Sequence, residues 1–369
     1  MQTNDRVRYF LGANSPQGFY SLYDQLIDPR QADAIYILKG GPGCGKSTLM
    51  RRVALRAEEM GEQVEYIHCS GDPDSLDAVV LPTYKTAIVD GTAPHVVEPV
   101  YPGVVESYVN LGGCYDRAAL QEKRGAIMDC MSGYKDHYKR AYRCLNAAAQ
   151  IEADTRDILV TAAFEEKVAK RARGILSREV RGEGHGSGQI RQRFLGAISH
   201  QGVQTYYGTA DALCKRIYML EDSCGLAHPL LTSLLSGLTH AGYDVVACPS
   251  PMAPDRLAHL IVPELSLAFL STSPGTVCPR RPYRRIRLES MVDAELLRRS
   301  KARMRFSRRV AAALTDEAVD SLRKAKAMHD ELEALYNPHV DFDRVRQIAD
   351  ELAAGILKPG KSADPKSAT

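Results

Sequence analysis

The chain has 369 residues, 44% of them hydrophobic and 25% charged, and a formal net charge of +3. This composition excludes broad disorder, and so small a charge does not by itself imply a polyanionic partner. The apolar run Leu260–Leu270 contains Pro263 and Glu264 and is shorter than the about 20 apolar residues a membrane span needs, and no apolar stretch follows a basic start. A soluble, cytoplasmic protein is therefore expected. Nine cysteines, none in a C-x-x-C pair, point to reduced thiols rather than a disulfide framework or zinc site.

In chain order, YFLGANSPQG (Tyr9–Gly18) comes first, and RFLGAISHQG (Arg193–Gly202) repeats it. IYILKGGPGCGKSTL (Ile35–Leu49) lines up with IYMLEDSCGLAHPLL (Ile217–Leu231), and Gly61–Pro82 lines up with Ala241–Pro263. Three matches in one order imply a duplicated chain with halves of about 185 residues. Length allows two cores. The boundaries expected are 1–180 and 191–357, with a Gly-rich linker at 181–190 and a disordered tail over 358–369.

Ala34–Leu38 is apolar in a run, which suits a parallel strand buried on both faces. A Gly-rich turn follows, then a helix from about Lys46 to Met60 with a broad apolar face, ended by Gly61. Gln63–Cys69 and Lys85–Val89 read as further strands of a parallel α/β sheet. A long helical segment closes each half, from about Arg117 to Arg173 and from about Asp293 to Ile356. The second breaks near Asn337–Pro338, and each would double back as a hairpin beside its sheet. The fold expected is two tandem P-loop NTPase-like α/β domains, the second degenerate.

The chemistry lies in Gly40-Gly41-Pro42-Gly43-Cys44-Gly45-Lys46-Ser47, which fits G-x-x-x-x-G-K-[ST]. Glycines let successive N–H groups turn toward phosphate oxygens, and the helix start adds unpaired N–H groups and a positive dipole end. Lys46 would reach the β and γ phosphates of ATP. Ser47, with Thr48 behind it, would hold Mg²⁺. Asp90, closing the apolar TAIVD, is the candidate second metal partner. Gly91 follows it, so the Glu of strong ATP hydrolases is missing there. Asp72, Asp74, His68 and His95 follow predicted strand ends. Asp74 and His95 are the further catalytic candidates, as water-orienting or acceptor-binding groups, and ordinary turn chemistry accounts for Asp72-Pro73-Asp74 equally well. Cys44 reads as a small filler.

In the second half Gly45 aligns with Ala227, Lys46 with His228, Ser47 with Pro229 and Asp90 with Ser271, so that nucleotide site is expected to be lost. The arginine-rich stretch Arg280–Arg309 could meet nucleic acid or another polyanion, but a solvated face with ion pairs is preferred.

The order RYFLGANSPQGFYSLYD, ILKGGPGCGKSTLM, YIHCSGDPDSLDAVVLP and IVDGTAPH resembles a poorly characterised family of bacterial tandem P-loop ATPase-like proteins. The resemblance runs over nearly the whole chain and implies an ATP site at Gly40–Thr48 and Asp90. The expected function is Mg-dependent ATP hydrolysis or an ATP-driven switch using the first half. A small-molecule or nucleotide kinase and a non-catalytic ATP-binding scaffold are the alternatives.

Overall fold

A computed structural model describes residues 6–180, 186–273 and 281–358. Most of the expected tail, half of the expected linker, Arg280 and Cys278 lie outside the described residues. The first half begins with strands β1 (Val7–Phe10), β2 (Gly12–Ser15), β3 (Gly18–Ser21) and β4 (Ala34–Lys39), followed by helix α1 (Lys46–Glu59). It continues through β5 (Glu65–His68), β6 (Leu76–Leu81), β7 (Thr86–Asp90) and β8 (Glu106–Asn110), then α2 (Arg117–Glu122), α3 (Arg124–Leu159) and α4 (Ala162–Glu179). The second half has β9 (Ile190–Gln192), β10 (Gly196–Ser199), β11 (Gly202–Thr205), α5 (Tyr207–Leu213), β12 (Arg216–Glu221) and α6 (Ala227–His240). Then come β13 (Val245–Ser250), β14 (Ala253–Val262), β15 (Leu267–Thr272), β16 (Arg284–Arg287), α7 (Ala294–Tyr336) and α8 (Phe342–Ile356).

The strands form two six-stranded sheets, ordered β1-β5-β6-β7-β4-β8 and β9-β13-β14-β15-β12-β16. The two orders correspond strand for strand, and so do the directions of pairing. Both sheets are mixed rather than parallel. In the first, β6 runs antiparallel to β5 and to β7. The segment Leu76–Leu81, between the two strands expected at Gln63–Cys69 and Lys85–Val89, adds one more strand. It is a buried strand, and the turn from it to β7 spans only 82–85. A parallel crossover takes a dozen or more residues, so so short a turn must reverse the chain.

The matching hairpins β2–β3 and β10–β11 bring the halves together. Just before them, Phe10 and Phe194 exchange reciprocal backbone hydrogen bonds of 2.9 Å. In place of two separate cores, one continuous core joins the inner faces of both sheets, with Ile37 and Val89 from one and Cys248 and Leu270 from the other. Each outer face is covered by its own half's helix, α1 or α6, and a helix from the opposite half packs on that one. Ala349, Ala353 and Ile356 of α8 pack with Met50 and Val53 of α1. Phe164, Val168 and Ile175 of α4 pack with Leu230 and Leu234 of α6. The long helices pair across the halves as well: α3 lies along α7, close enough that a Cβ on Gly133 would collide with Met328. The expected hairpin within each half is thus an exchange between halves, and the packing runs across the boundary that divides the sequence repeat.

Candidate phosphate-binding site

The loop Gly40–Gly45 leaves β4 and enters α1. Gly43 and Gly45 have φ of 67° and 84°, a left-handed region that other residues enter only with strain. Cys44 is fully buried and sits so close under Gly40 that a Cβ there would be 2.6 Å from its Sγ. It is a packing residue. The side chain of Lys46 curls back over the loop, where Nζ donates to the carbonyls of Gly40 and Gly41 at 2.9 and 2.8 Å. The same Nζ is 3.5 Å from Asp90 Oδ2. The sheet register explains that convergence: β4 and β7 are parallel neighbours, and Leu38, just before the loop, pairs with Asp90. Thr92 fixes the other carboxylate oxygen, donating from N at 2.9 Å and from Oγ1 at 2.6 Å. Ser47 Oγ accepts from the N–H of Leu76 at 2.9 Å. Thr48 is exposed.

The second half covers this loop. Tyr336 and Asn337, where α7 ends, lie against Gly41 and Gly43, and Val345 of α8 lies against Gly45. Glu333 is held below the usual carboxylate range, first by a hydrogen bond from His329 and also by the Gly43 N–H. Glu333 of α7 thus lies beside the loop, its Cα 3.4 Å from where a Cβ on Gly43 would stand.

The remaining candidates go elsewhere. Asp74 accepts from Gln201 of the second half at 2.8 Å, and its carbonyl accepts from Arg51 at 2.7 Å. Asp72 lies 3.4 Å from Lys326 of α7. His68 is buried with Nδ1 2.6 Å from the Pro73 carbonyl, and burial lowers its pKa to about 4. His95 is also buried. Its ring stacks on Tyr23 at 4.5 Å between centroids, and Nδ1 is 4.0 Å from Asp77. Tyr23 donates to the same Asp77 carboxylate at 2.6 Å. Among the described residues no hydrogen bond or ion pair ties Asp74 or His95 to Lys46, Ser47 or Asp90. Asp77, which burial pushes up from the ordinary carboxylate value, escaped the sequence reading. Its signal was an acid inside the apolar run of LDAVVLP.

The second-half loop differs in both length and content. It runs over 222–226 between β12 and α6, five residues, where 40–45 has six. Position for position, α6 therefore opens with Ala227 where α1 opens with Lys46, and His228 stands where Ser47 stands. The alignments of Gly45 with Ala227, Lys46 with His228 and Ser47 with Pro229 are all corrected by that one-residue deletion. Ser271 does take the place of Asp90, since it pairs with Leu220 as Asp90 pairs with Leu38. Gly40 is replaced by Asp222. Its Oδ1 accepts from the N–H groups of Cys224 and Leu226 at 3.0 and 2.9 Å, and its Oδ2 from Ala227 at 2.8 Å. This buried carboxylate fills the loop from within.

Comparison with protein-family models, with curated proteins and with solved structures returned no match.

In the arginine-rich stretch, Arg285 and Arg287 pair with Glu221, Arg298 and Arg299 with Glu295, and Arg303 with Asp154. No described helix is long and apolar enough to cross a membrane, and the described cysteines are free.

Proposed function

We propose that the first half binds Mg-ATP at Gly40–Ser47 and uses it as a hydrolysed switch. The observation that carries this reading is the meeting of Lys46 and Asp90, 3.5 Å apart, over a glycine loop that opens a helix. A phosphate chain would find the free N–H groups of the loop and of the first turn of α1. Lys46 would leave the Gly40 and Gly41 carbonyls for the β and γ phosphates, and Ser47 and Asp90 would face the metal. Mg²⁺, when bound, would neutralise charge on the transferring phosphoryl group. The chain's own contribution is positioning and fixed charge, which is most of what phosphoryl transfer asks of a protein. The switch follows from the cover: a phosphate on the Gly43 N–H displaces Glu333, so triphosphate and diphosphate states bear differently on α7 and α8.

A kinase is the second reading. A cavity of about 540 Å³ beside α1, lined by Arg6, Arg8, Arg51, His68 and Asp74 among others, has the size and charge for a phosphorylated acceptor. Phosphate release by the purified protein, with and without candidate acceptors, separates the two. Nucleotide binding without turnover under either condition would leave a scaffold that uses ATP for stability alone.

A further inference from the structure

The half that lacks lysine, metal acid and open loop still has a cavity. About 350 Å³ opens over Asp222, Ala227, His228 and Ser271, the counterparts of Gly40, Lys46, Ser47 and Asp90. Its opposite wall comes from the first half, through α3 and the β2–β3 turn.

Two guanidiniums from different halves meet in this cavity. Arg256 of β14 donates from Nη2 to the Gly225 carbonyl at 3.3 Å. Arg156 of α3 reaches the same glycine, with Nη1 3.5 Å from where a Cβ would stand. No carboxylate lies within ion-pair distance of Arg156 among the described residues, and its buried Nε has no hydrogen-bond partner. Burial, and then the charge of Arg156, push Arg256 below the ordinary arginine value. The nearby acids oppose this only in part. Asp222 is occupied by three backbone N–H groups, and Asp255, Asp157 and Glu152 are exposed. Like charges brought together in partial burial are costly unless an anion joins them. Guanidinium forks match the oxygens of phosphate and can bind it in pairs of hydrogen bonds.

We propose that Arg156 and Arg256 form a metal-free site for a phosphate monoester that carries hydroxyl or amino groups, the chemistry of a nucleoside monophosphate. The volume lies within the usual range for small-molecule sites, about 300–1,000 Å³. Glu152 and Asp255 on the wall offer partners to hydroxyl or amino groups. The phosphate sits on arginines and not in the loop, because Asp222 already holds the loop's N–H groups. The site stands apart from triphosphate binding in the first half and does not depend on it.

Calorimetric titration of the full-length protein with AMP, and with inorganic phosphate as the minimal probe, in buffer containing EDTA tests this. AMP binding is expected in the wild type, unchanged in Lys46→Ala, weakened at least tenfold in Arg156→Ala and Arg256→Ala, and intermediate in Arg256→Lys, which keeps charge but loses the fork. Melting curves on each variant separate lost binding from lost fold, and Arg256→Lys carries the test if an alanine variant does not fold. AMP binding that disappears in Lys46→Ala and persists in the arginine variants would place the anion in the first half and overturn the proposal. Absence of AMP and phosphate binding in the folded wild type at millimolar ligand would overturn it too. Phosphate binding as tight as that of AMP would overturn the nucleoside part. Failure of ATP turnover elsewhere in the protein has no bearing on these outcomes.

Discussion

His228 and Ser47 do the same job in the two halves. His228 Nδ1 accepts the N–H of Leu257 at 2.9 Å, and Ser47 Oγ accepts the N–H of Leu76 at 2.9 Å. Each ties the first turn of the helix after the loop to the neighbouring strand, at the start of β6 in the first half and midway along β14 in the second. Serine does this with a hydroxyl that keeps a lone pair and a proton for a ligand. The histidine spends its acceptor nitrogen on the bond, and burial lowers its pKa further. The structural tie is common to both halves, while the ligand-facing role proposed for Ser47 is open to the serine alone.

Replacing Lys46 by alanine is expected to remove the rise in melting temperature that Mg-ATP gives the wild type. The folded state should lose little, about 1 kcal/mol, since the bonds given up are to two loop carbonyls and a neighbouring carboxylate. An undiminished ATP shift in Lys46→Ala would mean that the triphosphate sits elsewhere.

Asp90→Asn keeps shape and removes the charge that the proposed site would place beside Mg²⁺. Phosphate release should fall at least a hundredfold while affinity for metal-free nucleotide changes less than threefold. An equal rate in wild type and variant would move the metal to another acid.

Stoichiometry should be one Mg-triphosphate per chain. Asp222 fills the second loop, and Asp222→Ala strands three N–H groups. It should cost about 3 kcal/mol in denaturant unfolding, with Asp222→Asn losing less because it keeps one acceptor oxygen. It should not create a second Mg-ATP site, for no lysine or metal acid returns with it. Two equivalent sites in calorimetry of the wild type with a non-hydrolysable analogue would contradict this.

If the loop takes a phosphate as proposed, Glu333, which lies against Gly43, would oppose it with its negative charge. Glu333→Gln should tighten Mg-ATP about three- to tenfold, as an anion in the way becomes neutral. Weaker binding in this variant would instead make Glu333 part of the nucleotide site.

Acid sensitivity should come partly from buried histidines. His259 accepts the Ser271 N–H at Nδ1 at 3.1 Å, and burial lowers its pKa to about 3 from 6.5. The unfolded chain therefore takes up this proton first. The stability tied to neutral His259 is whole above about pH 6.5 and is lost as pH falls from there toward the folded value, at about 1.4 kcal/mol per pH unit. Buried acids with raised values, Asp77 and Asp222 among them, act with the opposite sign, so the comparison is with a variant. His259→Asn keeps an acceptor for Ser271 and should flatten the fall in unfolding free energy between about pH 6 and 4 by one proton's worth. Parallel curves for wild type and variant would refute the assignment.

The sequence by itself determined the duplication, the glycine loop between a strand and a helix, the acid at the end of TAIVD, and the long helices broken at Asn337. These are local patterns: a run of apolar residues, glycines at fixed spacing, a period near 3.6. Their physics is complete within a dozen residues. Tertiary structure alone decided the rest. An apolar stripe on α8 says that the helix must be buried, but not in which of two similar halves, and it went onto α1 of the other half. The antiparallel placing of β6 followed from turn lengths and the pairing of neighbours. The missing residue in the second loop was invisible to an alignment carried by flanking strands, because moving the gap by one position costs such an alignment nothing, whereas the helix start fixes it. The role of Asp222 was out of reach for the same reason. A carboxylate in a loop can face solvent, a metal or a partner, and only the direction of three backbone N–H groups made this one the loop's own anion.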